Sequence, residues 1–449
     1  MSQSPDAATL TPLADGGRAK QRDRRILLSI LAGMPFRLLQ IASGVLLVPL
    51  AVRYLGAEKF GLWAAITSLA PLVALADLGI GNGLINAVSA AMARDDTAAA
   101  RRAAVSSFAA VTAMALLLLI GLAGLASVVN WAGLLNVATT PAADDAAPAS
   151  LAYIACCLAL LPLTLVSRLR AGLQESFISS GWEAAGVAAS LAGFVLAIQF
   201  HADMAVLLAA IGLPPVVTGL GNLISLLVRQ PWLMPRRFDI RFEALQPVLR
   251  LGFLYFILMA ATALANTVDS IVAIRLFGPE TASVIGISGK VFGAGQALVL
   301  AALTPLWPAF SEALARHDAA WVRRTLLLAL AAGAGGGGLT AVSLAVITNP
   351  VVHLWVSPEL TLSSSLLIAN ALWLTLIGTG NAFGMLLNGA GIVRLQIVAA
   401  LLYGGVAFGL KLILPHWLDS AGIVWATVIA YGGLVVPLYA RAALRYVRG

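Results

Sequence analysis

Charge is what this chain has least of. Only 11% of its 449 residues are Asp, Glu, Lys or Arg, against about 25% in ordinary soluble domains. Hydrophobic residues make up 60% and the mean hydropathy is +0.93, a balance that argues against a soluble fold. Cysteine is nearly missing: Cys156 and Cys157 stand side by side in an apolar run, so neither a disulfide framework nor a CxxC-type metal site is available. The four histidines, His201, His317, His353 and His416, lie far apart and form no HExxH or triad-like grouping. No G-x-x-x-x-G-K-[ST] sequence occurs, so ATP hydrolysed on this chain drives nothing. Clustered acidic motifs and long polar loops, which a membrane glycosyltransferase or polymerase would show, are also lacking. The net charge of +8 is scattered between apolar runs and forms no stripe of the kind that binds nucleic acid.

What is present in abundance is long apolar runs. A membrane span needs about 20 mostly apolar residues, and twelve runs meet that need, near 26–52, 60–89, 103–129, 150–168, 178–200, 205–228, 248–275, 281–310, 325–348, 363–388, 395–414 and 421–440. The fold class expected is therefore an all-α polytopic membrane protein. Residues 1–24 lack apolar periodicity and are expected to form a disordered tail. Arg22, Arg24 and Arg25 precede an apolar run that continues to Val52, too long for the core of a signal peptide, so the first span is retained. Lys and Arg concentrate in alternate loops, Arg94, Arg101, Arg102, Arg168, Arg170, Arg229, Arg316, Arg323, Arg324 and Arg394 among them. Loops on the other side hold only Arg53, Lys59 and Lys411, so the positive-inside rule places both termini in the cytoplasm.

Arg53, Gly56 and Glu58 recur as Arg275, Gly278 and Glu280, at a constant offset of 222 residues. At the same offset Ala93-Arg94 and Asp96 recur as Ala315-Arg316 and Asp318, and Arg101-Arg102 as Arg323-Arg324. Basic loops alone would repeat charge but not register, so the chain is read as a duplication. Six spans separate the copies, which gives both halves the same orientation about an axis along the membrane normal. The halves are 25–228 and 248–449, the latter ending in a short basic tail, joined by a cytoplasmic linker at 229–247.

Val48-Pro49-Leu50 followed by Arg53-Tyr54-Leu55-Gly56-Ala57-Glu58-Lys59-Phe60-Gly61-Leu62-Trp63 resembles the first hairpin of polysaccharide flippases. These form the O-antigen-transporter branch of the multidrug/oligosaccharidyl-lipid/polysaccharide (MOP) exporter superfamily. Asp77-Leu78-Gly79-Ile80-Gly81 is similar to that branch's second span, and Leu387-Asn388-Gly389-Ala390-Gly391 with Arg394 to the start of its eleventh. The resemblance implies a MATE-like fold of two six-helix lobes and a flippase for a polyprenyl-pyrophosphate-linked oligosaccharide or polysaccharide precursor. The partners it implies are that lipid-linked substrate, membrane lipids, and the glycan polymerase and glycosyltransferases of the same pathway. A cation-coupled multidrug exporter of the same superfamily, a lipid II flippase and a scaffold for glycan assembly are the rival readings; the lipid II flippase would call for two additional helices.

Ionisable groups at bilayer depth face a cavity or a partner, because lipid exposure costs at least about 2.5–3.5 kcal/mol. Arg37 lies twelve residues past Arg25, about 18 Å along a helix, and Asp77 falls midway between Lys59 and Arg94. Lys290 and Asp269 flank Gly278 at similar depth. Arg37 and Lys290 are candidates to attract an anionic headgroup; pairing of Arg37 with Asp77 and of Lys290 with Asp269 is the alternative. Asp77 and Asp269 are candidates to bind a coupling proton or Na+, with no other cofactor expected. Gln40, Asn82, Asn86, Asn266, Gln296 and Asn381 are candidate sugar-binding groups lining the same cavity, with a helix-to-helix hydrogen bond as the alternative for each. Gly79, Gly81 and Gly83 permit close helix approach or local unwinding, and Gly335 to Gly338 either pack against a neighbouring helix or flex.

Overall fold

The computed structural model describes residues 11–125, 129–134, 140–236, 239–355 and 361–446. Within its helices some side chains, among them those of 261–271 and 278–280, lie outside that description. Among the described residues twelve helices are long and apolar enough to cross a membrane. Spans 1 to 6 are Arg22–Gly44, Lys59–Asp77, Thr97–Leu125, Ala143–Gly172, Ser176–Gln199 and Met204–Arg229. Spans 7 to 12 are Phe242–Ala260, Val284–Ala315, Ala319–Leu354, Ser364–Gly389, Val393–Ile413 and Ala421–Leu444. Each lies on one of the twelve expected runs, and the chain is a multi-pass membrane protein. Leu117, Ile120, Leu339 and Val346 lie exposed on the outside of the bundle. Lipid is as apolar as these side chains, so cohesion rests on close packing and on polar contacts between helices rather than on burial from water.

A helix covers Thr11–Thr67, which corrects the disordered tail expected over 1–24 for residues 11–24; residues 1–10 lie outside the described residues. Pro12 sits in the first turn, where its missing N–H removes no intrahelical bond, and Arg22 is almost wholly buried against the opposite lobe. The helix is interrupted at Gly56 (φ 72°, ψ 173°), the tip between spans 1 and 2, as its glycine suggests. The placement of Gly278, its counterpart at the offset, lies outside that description, as for all of 278–280.

The second span, expected as one run over 60–89, is broken. Leu78 (φ 49°) and Gly79 (φ 74°) are left-handed, and a new helix, Ile80–Ala93, starts beyond them. The Asp77 carboxylate caps that helix, accepting from Gly79 N at 2.8 Å and Gly81 N at 3.3 Å. Two of the three glycines also meet span 7: a Cβ on Gly79 would stand 2.1 Å from the Gly252 carbonyl oxygen, and one on Gly83 2.3 Å from that of Val248. Unwinding and close approach therefore occur together. At the other glycine run, the close crossing is at Gly333, whose Cβ would lie 2.4 Å from the Gly378 oxygen, while Gly335 and Gly336 face open space. The helix there widens to a π-turn over Ala331–Gly336.

The duplication has a backbone counterpart. Helices Ile80–Ala93 and Leu306–Ala315 both end before an arginine, Arg94 and Arg316. Asp95 and His317 follow with φ of 56° and 59°. Asp96 then accepts from Ala99 N at 2.8 Å, and Asp318 from Trp321 N at 3.2 Å. Residues 222 apart thus take the same conformation and the same capping role, and the fold is two six-helix lobes in parallel repeat.

Candidate functional site

The two lobes meet at the end of the bundle that carries the basic loops. Arg22 pairs with Asp318 and lies over the Trp321 ring, 4.6 Å from its centroid. The Trp321 indole donates to Asp23 Oδ1 at 3.0 Å, and Arg324 approaches the same carboxylate at 3.5 Å. Gln174 donates to the Glu312 carboxylate, and Arg316 reaches the Met92 carbonyl oxygen at 3.3 Å. The linker is held reciprocally: Asp239 pairs with Arg101 at 2.9 Å, and Ser106 Oγ accepts from Arg241 N at 3.0 Å. The first helix of each lobe therefore starts docked against the other lobe.

Deeper in, Asn86 of the N-lobe ties three parts of the C-lobe together. Its amide nitrogen donates to Tyr255 Oη at 3.2 Å and to the Asn388 carbonyl at 2.9 Å, and its oxygen accepts from Trp307 Nε1 at 2.7 Å. Both donors and the acceptor are used, which suits a buried amide. Of the two readings the sequence left for Asn86, the helix-to-helix hydrogen bond holds, and the residue is a bolt between the lobes.

Beyond this junction lies a cavity of about 500 Å³, walled by spans 1, 4, 5 and 6 and closed on one side by residues 301–308 of span 8. Three charged side chains line it: Arg37, Arg168 and Glu183. Arg37 Nη1 donates to Gln40 Oε1 at 2.9 Å. Arg168, counted in the sequence as a loop charge, belongs to the last turns of helix Thr140–Gly172. Its stem lies against Gly81, where an added Cβ would stand 3.0 Å from Arg168 Cγ and 3.4 Å from its Nε. Glu183 lies seven residues past Ser176, the start of span 5, and Ser167 Oγ donates to its Oε1 at 2.7 Å. Both arginines line the same cavity as its carboxylate, yet among the described residues no ion pair joins Glu183 to either. The next arginine, Arg170, is wholly buried and spent inside the lobe, on Asn222 Oδ1 at 2.8 Å and Glu175 at 3.0 Å.

Of the residues singled out in the sequence, Arg37 and Gln40 lie in this cavity. Asp77 does not pair with Arg37: its carboxylate is occupied by the helix start at Gly79 and Gly81. Asn82 lies between the lobes, its amide 3.6 Å from Met259 Sδ, and Asn381 donates to its own helix at Ile377 O, 2.8 Å away. Lys290 is exposed and Gln296 half-buried on span 8, outside the cavity. The side chains of Asn266 and Asp269 lie outside the described residues. Sequence reasoning missed Glu183 and Arg168. Glu183 sits inside an expected span, which by itself marks a group in need of a cavity or partner, whereas Arg168 at a span edge is indistinguishable from a topogenic charge.

No curated protein sequence matches the chain, but solved structures do. A mutant of the MATE transporter VcmN from Vibrio cholerae is 14% identical, with a TM-score of 0.80 over 96% of this chain and 97% of that one. An outward-facing multidrug resistance MATE transporter of the MOP superfamily is 17% identical, with a TM-score of 0.79 over 96% of each chain. A MOP superfamily transporter from Pyrococcus furiosus is also 17% identical, with a TM-score of 0.80 over 95% of this chain and 96% of that one. These likenesses establish the fold. The model of the family described as polysaccharide biosynthesis protein matches residues 28–314, and the chain belongs to that family.

Proposed function

We propose that the chain is a flippase carrying a lipid-linked oligosaccharide or polysaccharide precursor, borne on a polyprenyl pyrophosphate, across the bacterial inner membrane by alternating access. The observation that carries this reading is the cavity, where Arg37 and Arg168 face a single carboxylate, Glu183. Guanidinium groups suit phosphate oxygens by charge and by their paired donors. The Pyrococcus furiosus transporter is described by a reversed polarity of its binding pocket that suggests a different function, and an excess of cations in this chain's cavity is in keeping with cargo other than a drug cation. The basic end faces the cytoplasm by the positive-inside rule, so the conformation is closed there. Glycosyltransferases supply such a precursor and a polymerase consumes it; the chain itself performs the crossing and no bond chemistry. Driving force comes from an H+ or Na+ gradient or from the substrate gradient.

Proteoliposomes holding the full chain and a fluorescent polyprenyl-diphosphate glycan test the reading. Protein-dependent exposure of the glycan on the opposite leaflet is expected, sensitive to Arg37→Ala. Movement of a drug cation but not of the glycan would transfer the chain to the multidrug exporters, the reading that the cavity carboxylate Glu183 favours. Movement of lipid II in preference to other glycans would make it a lipid II flippase.

A further inference from the structure

We propose that Glu183 is a resident counter-anion for Arg37 and Arg168, and that the cargo's diphosphate must outcompete it for their field in order to bind. The inference rests on the reading of the chain as a carrier of anionic lipid headgroups and adds which anions it accepts. Two guanidinium groups from spans 1 and 4 line the same cavity as one carboxylate from span 5. The carboxylate is held by Ser167 at 2.7 Å rather than by either arginine, so the cations keep donors free for an incoming ligand. Gly81 leaves the room in which Arg168 extends. Asp77, the other carboxylate near Arg168, is committed to two backbone N–H groups and is a poor competitor.

The consequence is selectivity by charge. A singly charged sugar carboxylate offers no more than Glu183 already supplies and enters against its repulsion. A diphosphate brings more charge and more acceptor oxygens, enough to occupy both guanidinium groups while Glu183 stays on Ser167. Glu183 is thus a specificity-determining residue that screens weak anions out of the cavity.

Titration of the detergent-solubilised full chain with inorganic pyrophosphate and with acetate, followed by calorimetry, tests this. Wild type is expected to bind pyrophosphate and not acetate. Glu183→Gln keeps the shape and the Ser167 bond, and is expected to bind pyrophosphate about tenfold more tightly and to admit acetate. Arg168→Ala should lose pyrophosphate affinity. Glu183→Ala, checked for thermal stability, should reproduce the gain if removal of charge is the cause. Unchanged or weaker pyrophosphate binding in both Glu183 variants, or none in any form, overturns the proposal. The glycan assay in proteoliposomes stands apart: tighter pyrophosphate binding without glycan movement would sink the flippase reading and leave the anion site in place.

Discussion

A methyl group on Gly83 would stand 2.3 Å from the Val248 carbonyl oxygen, whereas one on Gly44 would meet nothing within 4 Å. The two glycines are alike in sequence and opposite in consequence. Gly83→Ala must force helix Ile80–Ala93 and span 7 apart, and overpacking of this kind costs about 1–3 kcal/mol. Gly44→Ala removes backbone freedom from the unfolded chain at no steric cost and should stabilise by roughly 0.5–1 kcal/mol. Thermal unfolding in detergent is expected to order the three proteins as Gly44→Ala, wild type, Gly83→Ala. Asp77 permits a second residue-level prediction. Because its carboxylate caps a helix start with both oxygens, Asp77→Asn, whose one amide oxygen keeps one of the two bonds, should keep transport and lose less stability than Asp77→Ala, which should lose about 1 kcal/mol. Lost transport in a stable Asp77→Asn protein would instead make Asp77 the coupling site. Arg37 and Gln40 were legible because a charge twelve residues into a span has few tolerable surroundings. Arg168 was not, because the same residue type at a span edge usually faces headgroups, and only the packing of span 4 against helix Ile80–Ala93 shows that it lines the cavity.

At the level of elements, apolar run length located all twelve spans, but a break inside a span leaves hydropathy unchanged. The interruption at Leu78-Gly79 depends on a capping bond and on contact with span 7, neither of which is local. The start of the first helix was hidden for a related reason. Residues 11–24 have no apolar face of their own, and what holds their end is the pairing of Arg22 with Asp318 and of Asp23 with Trp321, almost 300 residues away. That hold is the natural element to loosen. Asp318→Ala would leave the buried Arg22 guanidinium without its carboxylate, a loss of about 1–3 kcal/mol for a hydrogen bond to a charged group. The closed form at the basic end should become less populated. A Ser176→Cys reporter in the cavity wall, with Cys156 and Cys157 replaced by Ala, is expected to react faster with a membrane-impermeant thiol reagent from the basic side in the Asp318→Ala protein. Equal rates would mean that this pair does not contribute to closure.

For the whole molecule, duplication supplies the machine and its departures from symmetry supply the chemistry. Arg94-Asp95-Asp96 and Arg316-His317-Asp318 share backbone shape, so each lobe presents the same loop at the basic end. Only Asp318 receives an arginine from the opposite lobe's first helix among the described residues, and the charged cavity lies mainly within the N-lobe. A carrier that works by rocking two such lobes must part them at the basic end once in every cycle. Joining that end covalently should therefore stop transport without touching the cavity. With Cys156 and Cys157 replaced by Ala, Arg22→Cys with Asp318→Cys offers thiols from the two lobes at one contact, to be bridged by a short bismaleimide. Cross-linked protein is expected to bind pyrophosphate as the unlinked double variant does, yet to move no lipid-linked glycan. Each single-cysteine variant, treated alike, should keep its transport rate. Should the bridged protein transport at the unlinked rate, the basic end does not open during the cycle, and substrate must reach the Arg37–Arg168 cavity sideways from the membrane rather than between parting lobes.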